Sequence, residues 1–215
     1  MEKKTVYLGL GTNTGNKQEN MRRAIGSLSL ALGSPIACST FMESEPWGFE
    51  SDNTFLNCVV AFSTSMPPLA LLDTTEQIER SMGRTSKSIN GQYSDRIIDI
   101  DILFYGNEII DSKRLTVPHP LLHKRTFVLR PLHEIAPQLT HPAMGRTIDE
   151  LLATPSRRPA TGSSAMGSIK ERPTRCKTPK ILSFIVILQK KCFCRDIYKN
   201  PYQGRNMHLT SLIWV

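Results

Sequence analysis

Between Ile97 and Phe104 the chain reads Ile-Ile-Asp-Ile-Asp-Ile-Leu-Phe. Apart from its two aspartates this run is β-branched, aliphatic and aromatic, the composition of a strand. Successive side chains on a strand point to opposite faces. Ile98, Ile100 and Ile102 therefore share a face that can enter a core, and Asp99 and Asp101 share the other. At a rise of roughly 3.3 Å per residue the two aspartate Cα atoms lie about 6.6 Å apart. That reach suits a pair of hard cations about 3.5–4 Å apart, held by oxygen ligands and bridged by phosphates. A solvated polar face of an antiparallel strand has the same alternation, and spacing alone favours it. Arg96 beside the pair, with Pro118-His119-Pro120 and Lys124-Arg125 downstream, points to a phosphate site.

The flanking chain supplies a sheet and helices. Val6 to Leu10 reads as a first strand, followed by a turn from Gly11 to Asn16. Asn16 can cap a helix that runs to about Leu32, with Met21, Ile25, Leu28 and Leu32 at helical spacing and Gly33 as its stop. Ile36 to Met42 reads as a second strand and Phe55 to Phe62 as a third. Pro67 and Pro68 open a second helix, whose buried side is Leu69, Leu72, Ile78 and Met82 and whose end is Gly83. A polar loop, Thr85 to Ser94, leads to the aspartate strand. A turn at Tyr105-Gly106-Asn107 and a short return strand, Glu108 to Ile110, come next. Phe127 to Ile135 and Ile148 to Leu152 read as short helices. The order β-α-β-β-α-β implies a largely antiparallel sheet with helices packed on it, in the α+β class.

Charge divides the chain in two. Residues 1–154 carry 15 Lys and Arg against 17 Asp and Glu, and residues 155–215 carry 12 against 2. The formal net charge of +8 thus comes from the C-terminal stretch, and a high pI says nothing about nucleic-acid binding by the first part. The expected division is a working domain, 1–154, and a basic tail, 155–215. The tail opens on a linker-like Pro155–Ser164, reads as disordered, and stands outside the functional domain. Within it Ile181 to Leu188 is a β-prone, uncharged octamer, far short of the roughly 20 apolar residues that cross a bilayer. Five cysteines at unrelated spacings and no leader-like start place the chain in a reducing, cytoplasmic setting, away from membranes.

The remaining motifs narrow the chemistry. Gly9-x-Gly11-x-x-x-Gly15 is one residue off the dinucleotide-binding pattern, and no Gly-Lys-Ser/Thr occurs, so a P-loop is excluded. Phosphate must then be met by side-chain cations and metal. Arg84, Arg96 and Arg125 offer planar, bidentate guanidinium groups, and His119 is held between two prolines. Trp47, Phe55, Tyr93 and Phe127 could make flat walls for an aromatic ring. Asn57 lies among apolar neighbours, where a buried amide needs partners that a heterocycle would supply.

These residues resemble one family closely. Tyr7-Leu8-Gly9-Leu10-Gly11-Thr12-Asn13, Ser44-Glu45-Pro46-Trp47-Gly48, Phe55-Leu56-Asn57, Ile78-Glu79, Gly83-Arg84, Asp95 to Leu103, Val117-Pro118-His119-Pro120 and Arg125 to Leu132 stand in the order of the 6-hydroxymethyl-7,8-dihydropterin pyrophosphokinases. The Arg-x-x-Asp-x-Asp strand followed by Pro-His-Pro and Arg-x-Phe is the specific part. The resemblance implies a ferredoxin-like, three-layer α-β-α fold. It implies transfer of diphosphate from ATP to the pterin hydroxymethyl group, with release of AMP, by a monomer that uses small molecules and no nucleic acid. By position Asp99 and Asp101 would hold two Mg²⁺ ions. Arg84, Arg96, His119 and Arg125 would meet the triphosphate, and Glu76, Glu79, Ile102 and Thr116 would lie along the nucleotide. Ser44, Trp47, Phe55, Asn57, Tyr93 and Phe127 would form the pterin pocket, with Phe55 and Phe127 sandwiching the ring. Tyr93 stands where many relatives carry Trp, and Asp95 where Pro is common. Two other readings use the same residues: a metal-dependent nucleotidyltransferase that releases pyrophosphate, and an RNA-binding α+β domain with a basic tail.

Overall fold

The first strand, β1 (Lys4–Thr12), is the inner strand on which the main sheet is built. The structure, a computed structural model, describes residues 2–48, 51–83 and 95–153. They belong to a unit that runs Met1–Pro159. The basic stretch 155–215 and the polar loop before the aspartate strand, with Tyr93 in it and Arg84 just ahead of it, lie outside the described residues.

After β1 come α1 (Lys17–Leu32), β2 (Ala37–Cys38), β3 (Met42–Ser44), β4 (Phe55–Thr64), α2 (Pro68–Ser81) and β5 (Asp99–Tyr105). They form an antiparallel sheet of order β2-β4-β1-β5, with β3 also paired to β4. Then follow a two-stranded ribbon of β6 (Ile110–Asp111) and β7 (Thr116–Val117), a 3₁₀ turn (Leu122–Lys124) and α3 (Thr126–Ile135). A second small ribbon, β8 (Thr140–His141) and β9 (Arg146–Thr147), leads into α4 (Ile148–Ala153). Among the described residues no helix is long and apolar enough to cross a membrane.

Alternation along the strands sorts the apolar side chains into two clusters. Val6, Leu8 and Leu10 of β1, Leu56, Cys58, Val60 and Phe62 of β4, and Ile100 and Ile102 of β5 pack with Met21, Ile25 and Leu28 of α1 and Leu71 and Ile78 of α2. The intervening residues Tyr7, Val59 and Leu103, with Phe104 brought to the same side by the one-residue shift of register opposite Tyr7 and Leu8, pack with Val128, Leu129 and Leu132 of α3 and Ile148 and Leu151 of α4. Each large apolar side chain so buried contributes roughly 1.5–3 kcal/mol. The helices begin and end where their chemistry directs. Asn16 Oδ1 accepts the Glu19 amide at 3.1 Å, which satisfies one of the donors that a helix start leaves open. Gly33, at φ 90°, closes α1 by donating to the Ser29 carbonyl.

Four expectations are corrected. The first strand runs on through Gly11 and Thr12, because inner-strand pairing to β4 and β5 outweighs glycine's weak strand preference. The second helix buries Leu71, Thr75 and Ile78, while Leu69 is exposed. With the helix starting at Pro68, the inward positions recur from Leu71 rather than Leu69. The return strand expected at Glu108 to Ile110 does not run back along β5. Gly106 N–H donates to the Thr5 carbonyl and Glu108 pairs with Lys4, so the chain leaves the sheet beside the start of β1 and forms the β6–β7 ribbon. The single strand expected at Ile36 to Met42 is two short ones. Cys38 pairs with Val60 but Met42 pairs with Asn57, so β2–β3 carries one residue more than β4 opposite it. Ser39 bridges the irregularity: its N–H donates to the Val59 carbonyl and its Oγ accepts the Val59 N–H, both at 2.9 Å. A one-residue slip exchanges faces, so Ser44 now lies opposite Phe55, on the face that carries Asn57.

Candidate functional site

On the face of the sheet away from α1 and α2, two rows of residues cross three strands. Gly11 lies between Asn57 and Asp99, and Gly9 between Val59 and Asp101. Having no side chains, the glycines open a cleft of about 660 Å³, including the solvent at its mouth. A Cβ at Gly9 would sit 3.3 Å from the Leu103 side chain, and one at Gly11 3.4 Å from Asn57 Oδ1. Their spacing therefore makes a floor of bare peptide, which the motif reading of the sequence passed over. Two glycines alternating inside an apolar strand were the available signal.

One end of the cleft is aromatic and amide-bearing. Trp47, Phe55 and Phe127 line it, with the Trp47 and Phe127 rings 6.4 Å apart and inclined by 59°. Asn57 is 6% exposed, and its Nδ2 donates to Ser44 Oγ at 2.9 Å. The serine that the extra residue in β2–β3 turned onto this face thus holds the amide, and Asn57 Oδ1 overhangs Gly11. A flat ligand with donor and acceptor edges would find stacking surfaces and an oriented amide together.

The other end is charged. Arg96 Nη1 bonds Asp99 Oδ2 at 2.5 Å. Arg125 Nη1 lies 3.6 Å and His119 Nε2 3.9 Å from Asp101 Oδ2. The Arg125 guanidinium also stacks over Trp47, 5.1 Å from the ring centre, and near Phe127, joining the two ends. His119 is set by its main chain, with its N–H donating to the Leu103 carbonyl, and its Nδ1 accepts the Leu121 N–H at 3.2 Å. A neutral ring with Nδ1 accepting carries its proton on Nε2, which faces Asp101. Burial pushes the imidazole below its ordinary value, against the opposing pull of Asp101, so the neutral donor form prevails near pH 7. Burial first, and then the charge of Asp99, pushes Asp101 up, while His119, Arg125 and Arg96 draw it back. Its side chain keeps 38% of its surface open, a recess in the cleft rather than full enclosure.

The cleft unites Ser44, Trp47, Phe55, Asn57, Arg96, Asp99, Asp101, Arg125 and Phe127, with His119 against Asp101. Four residues assigned to the nucleotide by resemblance do not line it. Glu79 is buried and its carboxylate accepts the Ile100 N–H at 2.7 Å. Ile102 is in the core under α1 and α2. Thr116 is exposed on β7, and Glu76 lies 3.6 Å from Arg80 and 3.9 Å from Arg114. Arg114, which also binds Asp73 at 2.5 Å, went unnoticed in the sequence because a lone arginine in a short loop carries no pattern. No cluster of three or more His, Cys, Asp or Glu suited to a metal occurs among the described residues. Two carboxylates on one strand face are a donor set that fits Mg²⁺, which is bound through one or two carboxylates together with water and phosphate oxygens.

An antiparallel α+β sheet whose open face sets paired carboxylates and arginines against an aromatic, amide-bearing slot defines a transferase for phosphorylated substrates. The chain belongs to the 7,8-dihydro-6-hydroxymethylpterin-pyrophosphokinase family, whose model matches residues 7–137. It is 45% identical over 138 residues to the 2-amino-4-hydroxy-6-hydroxymethyldihydropteridine pyrophosphokinase of Porphyromonas gingivalis, covering 64% of this chain and 93% of that one. It is 42% identical over 146 residues to the enzyme of the same name from Aquifex aeolicus, covering 68% and 89%. Among solved structures, the wild-type HPPK-DHPS of Plasmodium falciparum superposes with a TM-score of 0.56 at 18% identity, over 70% of this chain and 44% of that one. That likeness shows the fold and is to a part of the larger protein.

Proposed function

We propose that the cleft transfers diphosphate from ATP to 6-hydroxymethyl-7,8-dihydropterin, giving the pterin diphosphate and AMP for folate synthesis. The observation that carries the reading is the meeting, in one cleft, of the Asp99–Asp101 pair and its cations with the Asn57–Phe55–Phe127 slot. The pterin would lie flat in the slot between Phe55 and Phe127, its edge read by Asn57, with Ser44, Trp47 and Tyr93 around it. Its hydroxymethyl group would then point toward the carboxylates.

The hydroxymethyl oxygen attacks the β-phosphorus. A new P–O bond forms, the bond from that phosphorus to the α,β-bridging oxygen breaks, AMP leaves with the electron pair, and the hydroxyl proton is released to water. Such a transfer depends on in-line alignment and on neutralising phosphate charge, more than on a dedicated base. Arg96 and Arg125, at 9% and 8% side-chain exposure, are recessed cations that meet phosphate oxygens with forked donors. His119 adds an Nε2–H donor, and Arg84 a further cation. Asp99 and Asp101 would hold the two Mg²⁺ ions, which when bound supply charge neutralisation between the phosphates. Glu76 and Thr116 belong in this reading to the nucleotide's path outside the slot, while Glu79 and Ile102, which are buried, would support the strand beneath it, Glu79 by accepting the Ile100 N–H. The reading includes the ferredoxin-like, three-layer arrangement, a catalytic domain of residues 1–154, and a cytoplasmic monomer.

Product analysis tests it. With ATP, Mg²⁺ and the reduced pterin, AMP should form in step with pterin diphosphate. ADP as the only nucleotide product would indicate ordinary kinase chemistry, and free pyrophosphate a nucleotidyltransferase.

A further inference from the structure

Asp95 stands just before β5 and does not line the cleft, yet three side chains from two other segments meet on its carboxylate. Oδ1 accepts Asn13 Nδ2 at 2.6 Å and Ser51 Oγ at 2.7 Å, and Oδ2 accepts Asn53 Nδ2 at 2.8 Å. Asn13 comes from the turn after β1, and Ser51 and Asn53 from the loop that runs into Phe55 and β4. Asn13 also grips the next residue along: its N–H donates to the Arg96 carbonyl at 3.2 Å and its Oδ1 accepts the Arg96 N–H at 2.8 Å. Arg96 in turn holds Asp99. At the far end of the loop, Lys17 Nζ donates to Thr54 Oγ1 and to the Thr54 carbonyl.

From this arrangement we infer that Asp95 is a positioning residue, which latches the loop leading to the aromatic wall onto the strand that carries the two carboxylates. The inference rests on the transferase reading above. An ionised carboxylate only accepts, and here every partner is a donor. Those hydrogen bonds, from Ser51, Asn13 and Asn53, hold its carboxyl below the ordinary range, so it remains charged at neutral pH. Ser51 and Asn53 belong to a largely exposed loop, where charge-assisted bonds are stronger than the neutral contacts available. The latch ties the Phe55 end of β4 to the Asp99 end of β5 past the last pairs that β1 makes with each, Thr12 with Leu56 and Gly11 with Asp99, and so restrains the separation of Phe55 and Asp99. Transfer between two bound substrates is sensitive to that separation, since a displacement of about 1 Å costs about a hundredfold in rate.

The Asn13–Arg96 bonds do not involve Asp95, so loss of its carboxylate should free the loop and leave the phosphate side in place. In Asp95→Ala, kcat/KM for the pterin should fall about tenfold or more while ATP affinity stays within about twofold. Amide exchange at residues 51–54 should quicken. Asp95→Asn should restore most of both, because its carbonyl can accept from Asn13 and Ser51 while Asn53 turns its own amide over. The double variant S51A/N53A should reproduce Asp95→Ala without touching Asn13, and it decides the matter if Asp95→Ala does not fold. Unchanged exchange and unchanged pterin kinetics would overturn the latch. So would equal losses for ATP and pterin with a lowered melting temperature, which mark general loosening. A wild-type chain that forms no AMP would instead overturn the transferase reading, and the exchange comparison reports on the latch independently of it.

Discussion

Ile100 and Asp101 are neighbours in sequence and face opposite sides of one strand. On the side covered by α1 and α2, Leu8, Leu10, Val60, Ile100 and Ile102 are each at most 5% exposed. On the other, the same strands present Gly9, Gly11, Asn57, Asp99 and Asp101 to an open cleft. The first set is what a core requires and the second is what a core excludes, because buried charge and amide cost free energy unless partnered. The pleat therefore keeps stability and chemistry apart at a spacing of one residue. Substitutions one position apart should fail in different ways.

The largest effect is expected from the carboxylates. Asp99→Asn and Asp101→Asn should lower turnover by about 10³-fold or more, the scale on which lost charge stabilisation is felt in transfer reactions. Because burial and Asp99 already disfavour the charge on Asp101, Asp101→Asn should melt no lower than the unaltered chain when no ligand is present. Turnover assays beside thermal melts check both, and an active Asn variant would erase the distinction between the faces. One residue away, Ile100→Ala should cost about 2–5 kcal/mol of stability, read by urea titration, while the folded fraction keeps its turnover. Asn57→Ala sharpens the contrast within the cleft. Leaving pterin and Ser44 groups unpaired should weaken pterin binding by about 1–3 kcal/mol, with ATP binding nearly unchanged in calorimetric titrations. Equal losses for both ligands would point to unfolding. The smallest effect should follow removal of residues 155–215, with kcat/KM within about twofold of the full chain if those residues stand outside the working domain.

Much of this was legible wherever a local pattern decides the outcome. The alternation of Ile98 to Ile102 with Asp99 and Asp101 gave both faces of β5, and the Asn16 side chain marked the start of α1. Asn57 was readable as a buried amide because its neighbours are apolar. The partner that orients it was not, because Ser44 reaches that face only through the extra residue near Ser39, a register event that no periodicity announces. Glycine misled for a related reason. Alone it weakens a strand, so Gly11 read as the start of a turn, and only pairing on both sides keeps it in β1. The β6–β7 ribbon follows from Gly106 and Glu108 meeting Thr5 and Lys4, contacts about a hundred residues apart in sequence and therefore invisible to any short window.

The bare floor at Gly9 and Gly11 bears on how an inhibitor of the cleft could lose its hold. A flat compound lying there rests on peptide groups, and peptide groups are the one part of a site that substitution cannot delete. Mutation at these positions can only add atoms: a side chain at Gly9 crowds Leu103, and one reaching past Cβ at Gly11 enters the space beside Asn57 Oδ1, the amide that the natural ligand would need. Resistance by that route obstructs the substrate as it expels the drug, so escape would have to come from the walls.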